Sequence, residues 1–155
     1  MNATVEHVAA VLRRLSAADE ITELPEAAPN AATAAAQLGC DVAAIANSLI
    51  FTADGAPVLV IASGAHRVDT AKVASLVDAS EVTRATPDFV RAATGQPIGG
   101  VAPIGHPQPI RTIVDTRLAE RDTVWAAAGH PRTVFRSTFD ELVRITEGTP
   151  ADVGA

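Results

Sequence analysis

The chain has 155 residues, a formal net charge of -6 and a hydrophobic fraction of 48%, and this length fits one domain. The apolar fraction excludes a disordered chain, and the single cysteine excludes a disulfide framework within the chain. The acidic balance argues against broad nucleic-acid binding, although it allows a small basic patch that holds one end of an RNA. No apolar run approaches the roughly 18–20 residues that span a bilayer, so we expect a cytoplasmic protein with no membrane partner.

The first forty residues predict two helices and an edge strand. Apolar positions within residues 5–15 repeat with helical spacing, and Thr4 is the expected cap of that helix. The alternating run at 21–24 predicts an edge strand. Residues 31–38 predict a second helix, which ends at Gly39.

The middle of the chain predicts a hairpin followed by short alternating elements. The turn Asp54-Gly55, between the apolar runs at 45–52 and 57–63, is the strongest hairpin signal in the sequence. The elements expected after it are a helix through Val77, a weak strand at 81–84 and a helix at 87–93 that Thr86 caps.

The last third begins with an irregular segment. Residues 94–109 contain four glycines and four prolines, which exclude a regular element. Strands at 110–115, 123–127 and 132–136 and a helix capped by Thr138 are expected after it. Together the elements predict one α+β domain over residues 1–148, with a mixed, mostly antiparallel sheet of about six or seven strands wrapped by helices. Residues 149–155 are expected to form a frayed tail.

The sequence lacks the usual motifs of nucleophilic, metal-dependent and cofactor-dependent enzymes. It contains no G-x-S-x-G elbow, no P-loop and no dinucleotide fingerprint, and its four histidines share no metal-ligand spacing. Cys40 follows a predicted helix end and is interpreted as a half-buried small residue. We therefore predict no metal and no cofactor.

The glycine-rich loop from Gly99 to Gly105 is the remaining candidate for chemistry. Its sequence GGVAPIG presents backbone amides with few side chains in the way, and successive N–H groups of this kind bind anions or a developing oxyanion. A long irregular connection between a helix and a strand explains the same loop equally well. The residues alone leave both interpretations open.

Several motifs in order along residues 25–146 resemble the YbaK-type domain, the free-standing relative of the editing domain inserted in bacterial prolyl-tRNA synthetases. They are the runs TAAAQLG from Thr33 and IANSLIF from Ile45, the strand at 58–61, Arg67-Val68-Asp69 with Lys72, Thr94-Gly95, the loop Gly99–Gly105, and Asp115 with the turn Ala128-Gly129-His130. The loop is the strongest match, because the family has a G-x-x-x-P loop at this place.

The resemblance implies an activity as well as a fold. Family members hydrolyse the ester between a wrongly attached amino acid and the 3′ end of a tRNA. The implied protein is therefore a trans-editing deacylase that acts on misacylated tRNA-Pro or a similar small amino-acid ester. Such an ester is already activated, so positioning a water or a ribose hydroxyl and stabilising the oxyanion would suffice. The implied partner is a tRNA acceptor end, and an aminoacyl-tRNA synthetase is an open second partner.

Asn47 departs from the family pattern, which usually has lysine at this position. In a strand, Asn47 shares a face with Ile45 and Leu49, so we expect its amide to meet the substrate in a pocket floored by those two residues. Asn47 carries no charge. Either the site works with Asn47, or Arg67 or Arg132 supplies the charge, or the activity is reduced.

The candidate site residues follow from this match. The expected catalytic groups are Asn47 and the backbone amides of Gly99, Gly100, Val101 and Ala102. The expected substrate-binding residues are Ile45, Leu49, Pro103, His130 and Arg132. An exposed turn position explains His130 equally well, and a solvated strand face explains Arg132. The alternative function is a catalytically reduced family member that binds aminoacyl-tRNA ends or another small ligand.

Overall fold

Eight strands form one mixed sheet in the computed structural model, which describes residues 2–155. The strands are β1 (Ile21–Glu23), β2 (Ile45–Ala53), β3 (Ala56–Ser63), β4 (Val82–Arg84), β5 (Arg111–Asp115), β6 (Val124–Ala127), β7 (Thr133–Ser137) and β8 (Thr149–Ala151). Their order across the sheet is β1-β7-β6-β2-β3-β5-β8, and β4 pairs with β2. Four strand pairings are antiparallel and three are parallel.

Five helices cover the two faces of the sheet. They are α1 (Ala3–Arg14), α2 (Ala31–Leu38), α3 (Thr70–Val77), α4 (Pro87–Thr94) and α5 (Phe139–Thr146). Helices α1, α4 and α5 pack on the face that carries Ala46 and Ile50, whereas α3 packs on the face that carries Phe51. The predicted α+β fold is confirmed. None of the helices in residues 2–155 is long and apolar enough to cross a membrane.

Local sequence signals account for most element boundaries. Asp54 and Gly55 both have positive φ, 50° and 89°, as the predicted two-residue turn between β2 and β3 requires. The Asp54 carboxylate accepts hydrogen bonds from the backbone N–H groups of Ser80 and Glu81, both at 2.9 Å, which lower its pKa and attach the start of β4 to the hairpin. The predicted helix end at Gly39 is confirmed by its φ of 68°.

The cap of α1 differs from the prediction. Asn2 caps this helix, because its side-chain oxygen accepts a hydrogen bond from the N–H of Val5 at 2.8 Å. Thr4 lies inside the first turn instead. Asparagine is a stronger N-cap than threonine, so the helix begins two residues earlier than its apolar pattern.

The predicted frayed tail at 149–155 is wrong. Residues Thr149–Ala151 form β8, which pairs in parallel with β5, and Val153 is fully buried. The Lys72 ammonium holds this segment by donating to the Gly154 carbonyl at 2.6 Å and to Asp152 Oδ2 at 3.3 Å. The tail therefore adds the strand that raises the sheet from the predicted six or seven strands to eight.

Candidate functional site

A cavity of about 1100 Å³ opens at one edge of β2. On this edge β6 pairs with β2 only at Ile45 and Ala46, and β4 pairs with it from Phe51 to Ala53. Between these two pairings β2 has no neighbouring strand. The cavity is lined by β2 itself, by the ends of the two flanking strands at Ala127 and Arg84, and by the glycine-rich loop.

Asn47 lines this cavity, together with Ile45 and Leu49 on the same face of β2. Its side chain is half-buried and has no hydrogen-bond partner within residues 2–155. A half-buried amide that the protein leaves unpaired is available to a ligand or a water molecule. The predicted grouping of these three residues around one pocket therefore agrees with the cavity, and the catalytic role of Asn47 stays a prediction.

Only two of the four loop amides that we expected to hold an oxyanion are free to do so. The N–H of Gly100 donates to the Pro97 carbonyl at 3.1 Å, and the N–H of Ala102 donates to Gln96 Oε1 at 2.6 Å. The amides of Gly99 and Val101 have no acceptor within residues 2–155, and both residues line the cavity. The oxyanion hypothesis therefore narrows to Gly99 and Val101.

Gln96 organises the loop from inside, although no local sequence pattern marks this residue as functional. It is 1% exposed, and its side chain accepts from the Ala102 N–H while donating to the Ile104 carbonyl at 3.2 Å. His106 donates from Nε2 to the Ala102 carbonyl at 2.9 Å, and burial lowers its pKa. Gln96 and His106 are positioning residues, because they fix the loop without reaching the cavity.

Three predicted substrate-binding residues lie outside the cavity lining. Pro103 is buried behind the loop. His130 accepts a hydrogen bond at Nδ1 from the Arg132 N–H at 3.0 Å, and its backbone packs against Gly100. The Arg132 guanidinium donates to the Leu24 carbonyl at 2.7 Å. These contacts support the turn and β1, so they favour the structural interpretations of His130 and Arg132.

The charge around the cavity is positive. Arg67 and Arg84 line it, and no carboxylate does. Neither guanidinium has an ion pair or a hydrogen bond within residues 2–155, and Arg84 lies 5.8 Å from the centre of the Phe51 ring. The N-terminus of α2, at Ala31, also lines the cavity and favours negative charge. The site therefore suits an anionic ligand, although the chain as a whole is acidic.

The position of Arg84 at the cavity could not be predicted from the sequence. Its strand, β4, has only three residues, and the pairing of Arg84 with Phe51 decides that it reaches the cavity. No local pattern specifies which strand a short edge strand pairs with. Arg67, in contrast, was a candidate source of the missing charge, and the structure places it at the cavity.

His66 also lines the cavity but is committed to an internal network. Its Nδ1 lies 2.8 Å from Oδ2 of the fully buried Asp115, and its Nε2 lies 3.4 Å from the Arg117 guanidinium. Because arginine can only donate, Nε2 is the acceptor in this contact and Nδ1–H is the donor to Asp115. No hydroxyl or thiol within residues 2–155 is hydrogen-bonded to His66. The network therefore supplies no activated nucleophile.

His66 also belongs to a group of three side chains whose residue types can ligate a metal ion. Ligand atoms of His66, Asp115 and Asp152 lie within 4.8 Å of one another. These side chains already have partners within the chain, since Asp115 accepts from His66 and Asp152 is paired with Lys72. Arg117 and Lys72 would also repel a cation at this point. The group is better explained as a charge-balanced network that fixes the wall of the cavity.

Comparison with known proteins identifies the family. Residues 25–145 match the model of the aminoacyl-tRNA editing domain. A proline–tRNA ligase of Nitratidesulfovibrio vulgaris is 35% identical over 112 residues, which are 70% of this chain and 19% of the ligase. The chain thus spans about a fifth of the length of that relative. The protein YwhH of Bacillus subtilis, whose function is uncharacterized, is 29% identical over 125 residues, which are 80% of this chain and 79% of YwhH.

Solved structures match the whole fold. The structure of a proposed trans-editing enzyme for prolyl-tRNA synthetase superposes with a TM-score of 0.93 at 35% identity, covering 100% of this chain and 99% of the other. The hypothetical protein APE2540 superposes with a TM-score of 0.89 at 27% identity, covering 96% and 99% of the two chains. The first of these matches covers the whole chain and therefore includes α1 and β8 as well as residues 25–145.

Proposed function

The chain belongs to the aminoacyl-tRNA editing domain family, and from this premise we propose that it is a trans-editing deacylase. It would hydrolyse the ester between a wrongly attached amino acid and the 3′ end of a tRNA. A structural neighbour is described as a proposed trans-editing enzyme for prolyl-tRNA synthetase, and several sequence relatives are proline–tRNA ligases. Misacylated tRNA-Pro is therefore the first substrate to test, and this substrate implies a cytoplasmic location.

The observation that carries the proposal is the cavity at the open edge of β2. Among residues 2–155, the cavity combines an apolar floor with two arginines and two loop amides that have no hydrogen-bond partner, and no carboxylate lines it. An aminoacyl-tRNA end presents the matching groups, namely an apolar side chain, phosphates and an ester carbonyl. The volume of about 1100 Å³ exceeds that of an amino acid and leaves room for the terminal adenosine.

The chemistry we propose needs no protein nucleophile. A water molecule, which the neighbouring ribose hydroxyl can position, attacks the ester carbonyl; the bond to the ribose oxygen breaks, the ribose oxygen takes up the proton that the water loses, and the amino acid is released. The N–H groups of Gly99 and Val101 stabilise the negative charge that develops on the carbonyl oxygen. Asn47 hydrogen-bonds the ester, the ribose or the attacking water through its amide. Loss of one oxyanion donor typically costs about 10²-fold in rate, so two donors provide substantial catalysis.

A binding function is the second candidate, and one observation favours it. Asn47 carries no charge at the position where the family usually has lysine. The arginines at the cavity can hold phosphate but do not replace a lysine at that strand position. A protein with this site would bind aminoacyl-tRNA ends, or another small anionic ligand, without turnover.

The test is a panel of mischarged tRNAs incubated with the protein and scored for loss of the ester. The panel includes tRNA-Pro charged with alanine, cysteine and serine, with correctly charged prolyl-tRNA-Pro as the control. We expect accelerated loss from at least one mischarged tRNA and none from the control, because a pocket sized for a smaller side chain excludes proline. Retention of every ester would overturn the deacylase proposal and favour the binding function.

A further inference from the structure

The open edge of β2 exposes backbone groups as well as side chains. β6 pairs with β2 up to Ala46, and the N–H of Ala85 donates to the Ile50 carbonyl at 3.3 Å just beyond the end of β4. Four residue steps separate these two contacts, or about 13 Å along the strand. Ala127 and Ala85, which border this interval, both line the cavity.

The strand register identifies which backbone groups face the interval. The N–H of Gly64 donates to the Ile45 carbonyl at 2.8 Å, so odd-numbered residues of β2 direct their N–H and C=O groups toward β3. Even-numbered residues direct theirs to the opposite edge, as the bond between Ala85 and Ile50 shows. Ser48 is therefore the residue whose N–H and C=O both point into the interval, and neither has a strand partner there.

The Ser48 side chain adds a second observation. Its hydroxyl oxygen is buried and has no hydrogen-bond partner within residues 2–155. Buried polar groups are normally satisfied, and an orphan needs an explanation. Three polar groups of one residue are thus unpaired at the centre of the cavity edge.

We infer that the aminoacyl group binds in this interval as a single residue added to the edge of β2. Its α-ammonium donates to the Ser48 carbonyl, and its ester carbonyl accepts from the Ser48 N–H, as two opposite residues do in an antiparallel pair. The second lone pair of the ester oxygen then faces the loop amides of Gly99 and Val101. This inference rests on the proposed deacylase function and specifies how the substrate is recognised.

The arrangement also places the side chain of the bound amino acid. Opposite residues of an antiparallel pair direct their side chains to the same face of the sheet. The substrate side chain therefore points to the face of Ser48, where Val90 and Val101 pack on Ile50. Val90, Val101 and Ile98 line the cavity and are apolar. A small apolar amino acid is the expected fit.

The recognition of a free α-amino group has a consequence for the substrate class. No carboxylate lines the cavity, so the ammonium depends on neutral acceptors such as the Ser48 carbonyl. In the antiparallel orientation, an acyl group on the α-nitrogen would extend toward Ala85, which closes that end of the interval. We therefore expect N-blocked aminoacyl esters to be hydrolysed much more slowly than esters with a free α-amino group.

Three esters of one CCA-ended RNA test the inference. All three carry the side chain of the amino acid that the protein hydrolyses in the panel of mischarged tRNAs. For alanine they are the alanyl, lactyl and N-acetylalanyl esters. Each rate is divided by the uncatalysed rate of the same ester, because the α-ammonium itself activates the ester. We expect kcat/KM to fall about tenfold for lactyl, which keeps a donor but loses the charge, and at least about 100-fold for N-acetylalanyl.

A pair of variants tests the backbone contact directly. Ser48→Pro removes the N–H that faces the interval without removing a hydrogen bond to β3, whereas Ser48→Ala removes only the hydroxyl. We expect Ser48→Pro to have a kcat/KM at least about tenfold below that of Ser48→Ala. If Ser48→Pro fails to fold, the comparison of the three esters still tests the inference, because it uses the unaltered protein.

The outcomes separate the inference from the function on which it rests. Equal acceleration of the three esters, within about threefold, would overturn the inference and leave the deacylase function standing. Acceleration of none of them would overturn both. Graded acceleration with the alanyl ester fastest and the N-acetylalanyl ester slowest supports the inference.

Discussion

Asn47 is the residue that best distinguishes the two candidate functions of this protein, deacylase and binding protein. It lines the cavity with Ile45 and Leu49, and its amide has no protein partner within residues 2–155. An amide that makes no hydrogen bond in the folded chain contributes little to folding stability. Its hydrogen-bonding groups are instead free for the substrate.

Replacement of Asn47 tests its role. We expect Asn47→Ala to lower turnover or ligand affinity up to about tenfold, the effect of one neutral hydrogen bond, and to leave the urea midpoint of unfolding almost unchanged. Asn47→Lys should raise deacylation, because it restores the residue that the family usually has. Unfolding of Asn47→Ala, with normal affinity in the folded fraction, would show that Asn47 is structural.

His106 makes the stability of the protein depend on pH. Burial lowers the pKa of this histidine, so the unfolded chain binds its proton at a higher pH than the folded chain does. Its contribution to stability is complete above the unfolded pKa of about 6.5 and is lost as the pH falls from there through the lowered folded pKa. The free energy of unfolding should therefore decrease between pH 7.5 and pH 5.5.

His106→Gln is the control for this effect, because glutamine does not titrate. The carboxylates of Asp41, Asp54 and Asp152 have lowered pKa values and stay ionised throughout that range. Urea unfolding at the two pH values should give a smaller difference for His106→Gln than for the unaltered protein. Equal differences would exclude His106 as the source.

At the scale of elements, the glycine-rich loop and the turn at 129–131 form one unit. A Cβ on Gly100 would lie 2.7 Å from the His130 carbonyl carbon and 2.7 Å from the Pro131 nitrogen. The N–H of Gly129 also donates to the Gly100 carbonyl at 2.9 Å. Glycine is required at position 100 because two backbone segments meet there.

Alanine substitutions at the two adjacent glycines separate packing from conformational strain. Gly100→Ala forces the loop away from the turn, so we expect it to lower the free energy of unfolding by about 3 kcal/mol and deacylation with it. Gly99→Ala meets no atom within 4 Å and has only the cost of its φ of 89°, about 1 kcal/mol. Urea unfolding measures both, and an equal loss at the two positions would contradict this account of the loop.

Local patterns were sufficient for most elements of this fold and for part of the site. The hairpin at Asp54-Gly55 and the helix end at Gly39 are set by residues adjacent in sequence, and both were predicted. The β8 strand was missed because its pairing with β5 and its tie to Lys72 are long-range. The interval at Ser48 was missed for the same reason, since it exists only where two distant strands stop pairing with β2.

For the whole molecule, the distribution of charge matters more than its sum. The net charge is -6, yet Arg67 and Arg84 are the charged side chains that meet at the cavity, with no carboxylate beside them. The acidic chain as a whole repels most of a nucleic acid, whereas the two arginines at the cavity attract one short stretch of it. Binding should therefore depend on salt only weakly.

Salt dependence of RNA binding measures the number of phosphates held. For a CCA-ended acceptor-stem RNA, we expect log K to fall with log salt concentration with a slope of about -1.4, as for two phosphates of a single strand. Arg84→Gln should reduce the slope by about 0.7, whereas Arg14→Gln, an exposed position on α1 outside the cavity lining, should leave it unchanged. Equal effects of the two substitutions would exclude Arg84 as a phosphate contact.

The most direct test of the central claim is a turnover count on mischarged tRNA-Pro. Alanyl-tRNA-Pro in tenfold excess over the protein is followed for released alanine, with Asn47→Ala measured in parallel. We expect each protein molecule to release several equivalents of alanine, at a rate that the Asn47→Ala substitution lowers. A stable complex that retains the ester, or alanine release no faster than without the protein, would contradict the deacylase function.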